Sequence, residues 1–354
     1  MKINLNFYKR LLREFRLPTS PLLMKFIKFF GYDKKINKNN ALNALCDFEL
    51  IGYTFNFAEY IVQLNKYIKE NNVKKFNIIL IPTFPDTTKF RSEYYPKEKI
   101  ARNMIDDEEI NWRIYNIILP LIDCSFNKPE EIIVLRSRSN LVNYLNDNTF
   151  PKNYSKLSPK TNDINDLYKN TFSLQNIGLN SNKIGKEFID NWCNIYNLNL
   201  SKTITINIRD QEFDPNRNSN INEWLKFANY LKKLSYNVII LPDTNKLWSL
   251  DIVFKDFIIA KDISTSIHLR IALYEKVFLN FFVPNGVSLL SILNYKSNYI
   301  FFKAGFIKGS VVHTKEQWIV DGDFCFSNEK QKLIYREDSF ENIKKAFKEY
   351  ISNN

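Results

Sequence analysis

Glycine is scarce: eight among 354 residues. The shortage removes three kinds of site that need backbone without side chains. No G-x-G-x-x-G follows a strand, so a dinucleotide-binding Rossmann domain of the ordinary kind is excluded. There is also no G-x-x-x-x-G-K-S/T phosphate loop and no G-x-S-x-G turn for a hydrolase serine. Any phosphate bound by this chain is held by side chains and helix ends. Cysteine is sparse too. Cys46, Cys124, Cys193 and Cys325 stand far apart, without a C-x-x-C pair or a neighbouring histidine. That spacing argues against a zinc ribbon or a disulfide framework and reads as four reduced thiols. Long apolar runs are missing: none approaches the ~18–20 residues of a membrane-spanning helix. The opening MKINLNFYKRLL carries charge where a signal peptide is apolar, so the expected location is cytoplasmic.

What is present fills two cores, with 45% apolar residues over a length that suits two ordinary domains. The formal net charge is +12. Part of it belongs to a general Lys, Asn and Ile bias of the kind that AT-rich coding produces. The rest is local. Residues 1–38 hold ten Lys or Arg against Glu14 and Asp33, a net of +8, which leaves +4 for the other 316 residues. In the same segment Phe7, Leu11, Leu12, Phe15, Leu22, Leu23, Phe26, Phe29 and Phe30 recur at roughly helical spacing. Basic amphipathic helices with aromatics suit an anionic membrane surface, where each cation near the lipid contributes about 1 kcal/mol. The competing reading is a helix packed on the domain with a solvated basic face. Peripheral attachment to the inner membrane face is therefore carried beside the cytoplasmic expectation. Nucleic acid is not an expected partner, because no recognition module accompanies the basic segment.

The second half alternates short apolar runs with helices. TITINIR (203–209), NVIILP (237–242), DFIIA (256–260), VFLNFFV (277–283) and NYIFFKA (298–304) read as strands. INEWLKFANYLKKL (221–234), TSIHLRIALYEK (265–276) and GVSLLSILNYK (286–296) read as helices, with a short helix near NKLWSLDIVF and a closing one that Ser339 caps. This is the pattern of βαβ units on a parallel sheet covered on both faces. The first half carries a helix around 57–70, a strand FNIILIP (76–82), a helix in DDEEINWRIYNIILPLIDC opened by an acidic turn, and a strand and helix in EEIIVLRSRSNLVNYL. Residues 148–183 are dense in Asn, Ser, Lys, Asp and Pro, the composition of a surface linker, and GKEFIDNWCNIYNL (185–198) forms a helix after it. The expected domains are basic amphipathic helices over 1–40, a first α/β domain over 41–184 and a second over 185–354.

The stretch TITINIRDQEFDPNRNSN (203–220) ends a buried-looking strand on Arg209 and places Arg217, Asn218 and Ser219 before a helix. In an open parallel sheet ligands sit at the carboxyl ends of strands. Two guanidiniums above a helix start suit a diphosphate, through fork-like hydrogen bonds and the helix dipole; the plain alternative is an arginine paired with Asp210 or Glu212. The next strand ends carry Asp243, then Asp262, Ser264 and Ser266 with His268 and Arg270 following, then Asn285, Gly286 and Ser288. Four consecutive strand ends with polar groups point to an anionic ligand more strongly than any one does.

Taken with CDFEL, TFNFAEYI, IPTFPDTTKFRSEYY and NWRIYNIILPL in the first half, and IRDQEFDPNRNSN, LPD, RIALYE and PNGVS in the second, the chain resembles the GT-B-fold glycosyltransferases, of the bacterial surface-polysaccharide type. The likeness is clearest over 203–296. It implies an α/β architecture of two Rossmann-like domains with a cleft between them. It also implies a nucleotide-sugar donor on the second domain, a glycan or lipid-linked acceptor on the first, and no cofactor or essential metal. Under it, Arg209, Arg217, Asn218, Asp243, Ser264, His268, Asn285, Gly286 and Ser288 are the donor-binding candidates. Asp47, Glu49 and Asp86, with Glu93, are candidates for the base that takes the acceptor's proton, and Arg91 and Arg113 for holding an anionic acceptor. Two other readings stay open: a sugar-nucleotide epimerase of the same fold, and a non-catalytic glycan- or membrane-binding protein. The DGD at 321–323 has a metal-binding spacing but reads as a hairpin turn between β-rich runs.

Overall fold

A computed structural model of the chain describes residues 41–83, 107–154, 167–168, 171–212, 214–304 and 322–353. The expected basic helices of residues 1–40 lie outside the described residues, as do Asp86, Arg91, Glu93 and Asp321. The chain divides into two compact units, residues 1–115 with 127–162, and residues 116–126 with 163–354.

The first unit is built on β1 (Leu42–Asp47), α1 (Phe48–Ile51), α2 (Phe57–Glu70), β2 (Phe76–Ile81), α3 (Asp107–Arg113), β3 (Glu131–Val134) and β4 (Thr149–Phe150). All strands run parallel in the order β3-β2-β1-β4. Every residue of β1 and β2 is buried, as expected of central strands covered on both faces, whereas edge strand β3 is largely exposed. Leu45, Ile79, Ile81, Leu141 and Tyr154 form a core on this sheet.

The second unit contains α4 (Leu119–Asp123), α5 (Lys183–Ile195), β5 (Thr203–Asn207), α6 (Ile221–Lys233), β6 (Asn237–Leu241), β7 (Ile258–Ile259), α7 (Lys261–Thr265), α8 (Ile267–Lys276), β8 (Leu279–Phe282), α9 (Leu289–Ile292), β9 (Tyr299–Phe302), β10 (Gln331–Ile334) and α10 (Phe340–Asn353). Its six strands are parallel, in the order β10-β9-β8-β5-β6-β7. From β5 the chain winds outward through β6 and β7, then returns to β8 on the other side of β5. The strand order therefore reverses between β5 and β8, which pair at Ile206 and Phe281. Trp224, Phe227, Ala228 and Leu231, at i, i+3, i+4 and i+7 of α6, are buried and pack with Phe281, Phe302 and Phe347 in the core.

Both units are α/β with parallel sheets, as the sequence pattern implies. The differences are local. The helix expected at 265–276 breaks at Ser266, whose hydroxyl caps α8 by accepting from Leu269 N at 3.4 Å. The helix expected at 286–296 is a 3₁₀ turn, Gly286–Ser288, followed by the four residues of α9. It stops early because Asn294 N turns back to Ser291 O (3.1 Å) and Lys296 N is taken by Asn294 Oδ1 (3.0 Å) instead of reaching Ile292 O. The Asp-Gly turn does not join two strands. Gly322 has φ 89°, but Phe324–Phe326 are not strand, and Asp323 accepts instead from Leu333 N (2.7 Å) and Lys332 Nζ (2.9 Å) of β10.

The cores hold phenols and thiols that resist ionisation. Burial pushes Tyr53 and Tyr350 up from 10.0 to about 12. It pushes Cys193 from 9.0 to about 11 (Asp190 adds to this and Lys276 opposes it), and raises Cys46 and Tyr274 as well. These groups ionise first in the unfolded chain, so their contribution to stability is whole below pH about 9 and is lost as pH rises toward 12. Urea titrations at pH 8, 9.5 and 11 are expected to show a midpoint falling steadily over that range.

Candidate functional site

The carboxyl edge of the second sheet gathers most of the expected donor-binding residues. Thr203–Ile206 is a β-branched run, the strand is buried through Asn207, and it delivers Arg209 to the point where strand order reverses. There the loop folds back on itself. Arg209 N donates to Ser219 Oγ and Ser219 N to Arg209 O, both at 2.9 Å. The Arg209 guanidinium donates through Nη1 to Asp214 O at 3.2 Å and to Asn218 Oδ1. Asn218 braces the loop further, accepting from Gln211 N (3.0 Å) and donating to Gln211 O (2.8 Å). Asp214 has φ 54°, a left-handed conformation that costs a non-glycine residue roughly 1–2 kcal/mol.

Arg217 completes the loop. Its Nε lies 2.9 Å from Asp214 Oδ2, a buried ion pair within the loop. Burial lowers the Arg217 pKa, against the opposing pull of Asp214 and Asp243. Asp243, past β6, accepts from Asp210 N at 3.2 Å, which ties the ends of β5 and β6 together.

Beneath this lies Arg270 of α8, which the sequence places in the region without a role. Nε donates to Ser264 O (2.9 Å), Nη1 to Asn207 Oδ1 (3.2 Å) and Tyr274 Oη (2.9 Å), and Nη2 to Pro242 O (3.0 Å). Ser264 thus contributes its carbonyl, while its hydroxyl donates to Ala260 O at 2.8 Å. Lys303, just past β9, was not foreseen. The signal for it was the one that marked Arg209: a cation closing an apolar strand, here YIFFK. Arg209, Arg217, Arg270 and Lys303 are 3%, 4%, 2% and 5% exposed, so one sheet edge buries four cations, a costly arrangement unless anionic or hydrogen-bonding partners meet them.

Asn285, Gly286 and Ser288 follow β8, across the reversal from Arg209. The Asn285 side chain accepts from Ser288 N at 2.9 Å and the Ser288 hydroxyl donates to Asn285 O at 2.7 Å, with Gly286 exposed between them. His268 stands apart from the arginine loop. Its Nε2 is 3.0 Å from Asp123 Oδ2 without hydrogen-bond alignment, and Asp123 also accepts from Asn182 Nδ2 at 2.7 Å.

In the first unit Asp47 closes β1. Its two oxygens accept four hydrogen bonds. Oδ1 takes Glu49 N (3.0 Å) and Arg138 Nη1 (2.7 Å); Oδ2 takes Arg138 Nη2 (2.8 Å) and Tyr154 Oη (2.7 Å). A carboxylate offers about four lone-pair positions, so Asp47 has none left to receive a substrate proton. Glu49 is half-buried in α1. Arg113 is engaged by Glu109 Oε1, at 2.9 Å from Nε and 2.6 Å from Nη2, and donates to Tyr53 O at 3.0 Å.

No protein-family model matches the chain, and no curated protein does. Among solved structures it is similar to a glycosyl transferase family 9 protein of Veillonella parvula, at 12% identity and TM-score 0.44, over 87% of this chain and 89% of that one. It is similar also to the ADP-heptose LPS heptosyltransferase II of E. coli, at 10% identity and TM-score 0.39, over 82% and 80%. A third likeness, to the UDP-N-acetylglucosamine 2-epimerase of Rickettsia bellii, has 12% identity and TM-score 0.32, over 99% and 86%.

Proposed function

We propose that the chain is a glycosyltransferase that needs no metal and moves a sugar from a nucleotide-sugar donor to a glycan or lipid-linked acceptor in surface-polysaccharide synthesis. The observation that carries this reading is the position of the arginine loop. Arg209 and Arg217 follow β5 and the Asn285–Ser288 turn follows β8, the two strands between which the order reverses and where open parallel sheets bind ligands. The departing group of a nucleotide-sugar is a diphosphate, and its growing negative charge is stabilised by cations already fixed in place. Arg217 brings a buried guanidinium fixed by Asp214, a cation already in place for an anion. Asn218 and Asp243 hold the loop, and Ser264 and Arg270 support it from below. His268 takes no part in this binding.

Asp47 serves as an anchor for the first unit, and proton removal falls to Glu49 or Asp86. Arg91 and Arg113 remain the acceptor-side cations of the reading, and residues 1–38 supply attachment to an anionic membrane surface.

Incubating the full chain with UDP-, GDP-, ADP-, TDP- and CMP-sugars tests the reaction class. One donor is expected to lose its sugar with release of the free nucleotide, slowly to water when no acceptor is added. Conversion of the donor to an isomeric nucleotide-sugar without such release would make the protein an epimerase. Neither release nor isomerisation, together with no binding of any donor, would leave a non-catalytic protein.

A further inference from the structure

The arginine loop is held from behind by a buried ion pair that belongs to neither the loop nor β5. Lys303, past β9, donates through Nζ to Asn218 O at 2.8 Å and pairs with Asp338 Oδ1 at 2.8 Å, with Glu337 Oε2 at 3.5 Å. Asp338, ahead of α10, accepts through Oδ2 from Asn220 N at 2.8 Å and Trp224 Nε1 at 2.7 Å. The two side chains therefore grip the loop at Asn218 and the start of α6 at Asn220 and Trp224. Lys303 does this from a left-handed backbone, φ 56°, the second non-glycine residue in that conformation at this site after Asp214. Strain of this kind persists where the surroundings over-determine it, and it clusters at ligand sites.

A desolvated ion pair is a poor way to stabilise a core, because apolar residues of similar volume do as well or better. What this pair supplies is direction. Lys303, itself held by the two acids, fixes Asn218, and Asn218 Oδ1 in turn receives Arg209 Nη1. We propose that Lys303 and Asp338 are positioning residues that preorganise the Arg209–Arg217 loop for its anion before the ligand arrives. Their contribution then appears in affinity and local rigidity more than in global stability. The inference rests on the donor-binding reading for its ligand, but the preorganisation itself can be measured without one.

The test uses the ligand-free full chain and the double substitution Lys303→Met with Asp338→Asn. Both charges are removed, while the new side-chain amide keeps an oxygen for Asn220 N and Trp224 Nε1. Amide exchange at Gln211, Ser219 and Asn220 is expected to speed up at least tenfold, while amides of β5 and β6 keep their protection. Lys303→Arg is expected to retain most of the protection. Binding of ADP, UDP and GDP is measured alongside, and the diphosphate that wild type binds is expected to bind the double variant about tenfold more weakly. Unchanged exchange in the loop, or a loss of protection spread evenly over the whole sheet, would overturn the positioning role. A loosened loop in a chain that binds no diphosphate even as wild type would keep the preorganisation and remove the donor reading.

Discussion

Replacing Asp47 with alanine is expected to unfold the first unit rather than to slow a reaction in an intact protein. The substitution strands the Arg138 guanidinium, which is buried against Asp47 and would lose both of its bonds to the carboxylate while Nη1 keeps Pro82 O at 2.8 Å. It also removes the acceptor of Tyr154 Oη and the cap of α1. Removing one partner of a buried pair typically costs about 3–5 kcal/mol, a large part of the stability of a domain this size. The expected result is a urea transition for this unit displaced to much lower denaturant. Asp47→Asn combined with Arg138→Met, which removes both charges together, is expected to recover at least half of that loss. A base would behave otherwise: its neutral isostere would leave the midpoint alone and abolish turnover.

The second large effect is expected at Arg217. Arg217→Gln removes a buried guanidinium that Asp214 holds at 2.9 Å. Truncating a buried charged partner of a ligand costs about 2–5 kcal/mol in binding. A loss of about 100-fold in affinity for a nucleoside diphosphate, or about 2.8 kcal/mol, is expected by calorimetry. Arg217→Lys is expected to recover little, because a single ammonium does not reproduce the planar fork. Affinity for the matching nucleoside, which lacks the phosphates, should change only slightly. Equal losses for nucleoside and diphosphate would mean that Arg217 shapes the pocket without meeting the phosphates.

The parts of this molecule that were legible in its sequence are those set by local pattern. TITI, VIIL and IILI are apolar or β-branched runs because both faces of a parallel sheet are covered, and α6 shows its buried stripe directly. Arg209 was visible for a simple reason: a charge is out of place at the end of such a run. The same reasoning applied to YIFFK would have found Lys303.

The Asp47–Arg138 pair could not be read in this way. Its partners are 91 residues apart, and nothing in CDFEL says whether its acid waits for substrate or for an arginine. Asp338 was hidden likewise, since its role depends on Trp224 and Asn220 arriving from another element. Strand β10, QKLI, is short and half polar, and becomes a strand only because β9 offers it an edge. The early end of α9 follows from Asn294, whose side chain takes Lys296 N and whose carbonyl is held by Gln331 of β10, a partner from another element.

The central claim is that the sheet edge at β5 and β8 binds the diphosphate of a nucleotide. The most direct measurement is the melting temperature of the full chain with ADP, UDP, GDP, CDP or TDP, each compared with its nucleoside. A ligand at 100 times its dissociation constant stabilises a fold by about 2.7 kcal/mol. One diphosphate is expected to raise the transition clearly while its nucleoside moves it far less. No shift with any diphosphate at millimolar concentration, or equal shifts with diphosphate and nucleoside, would contradict the claim.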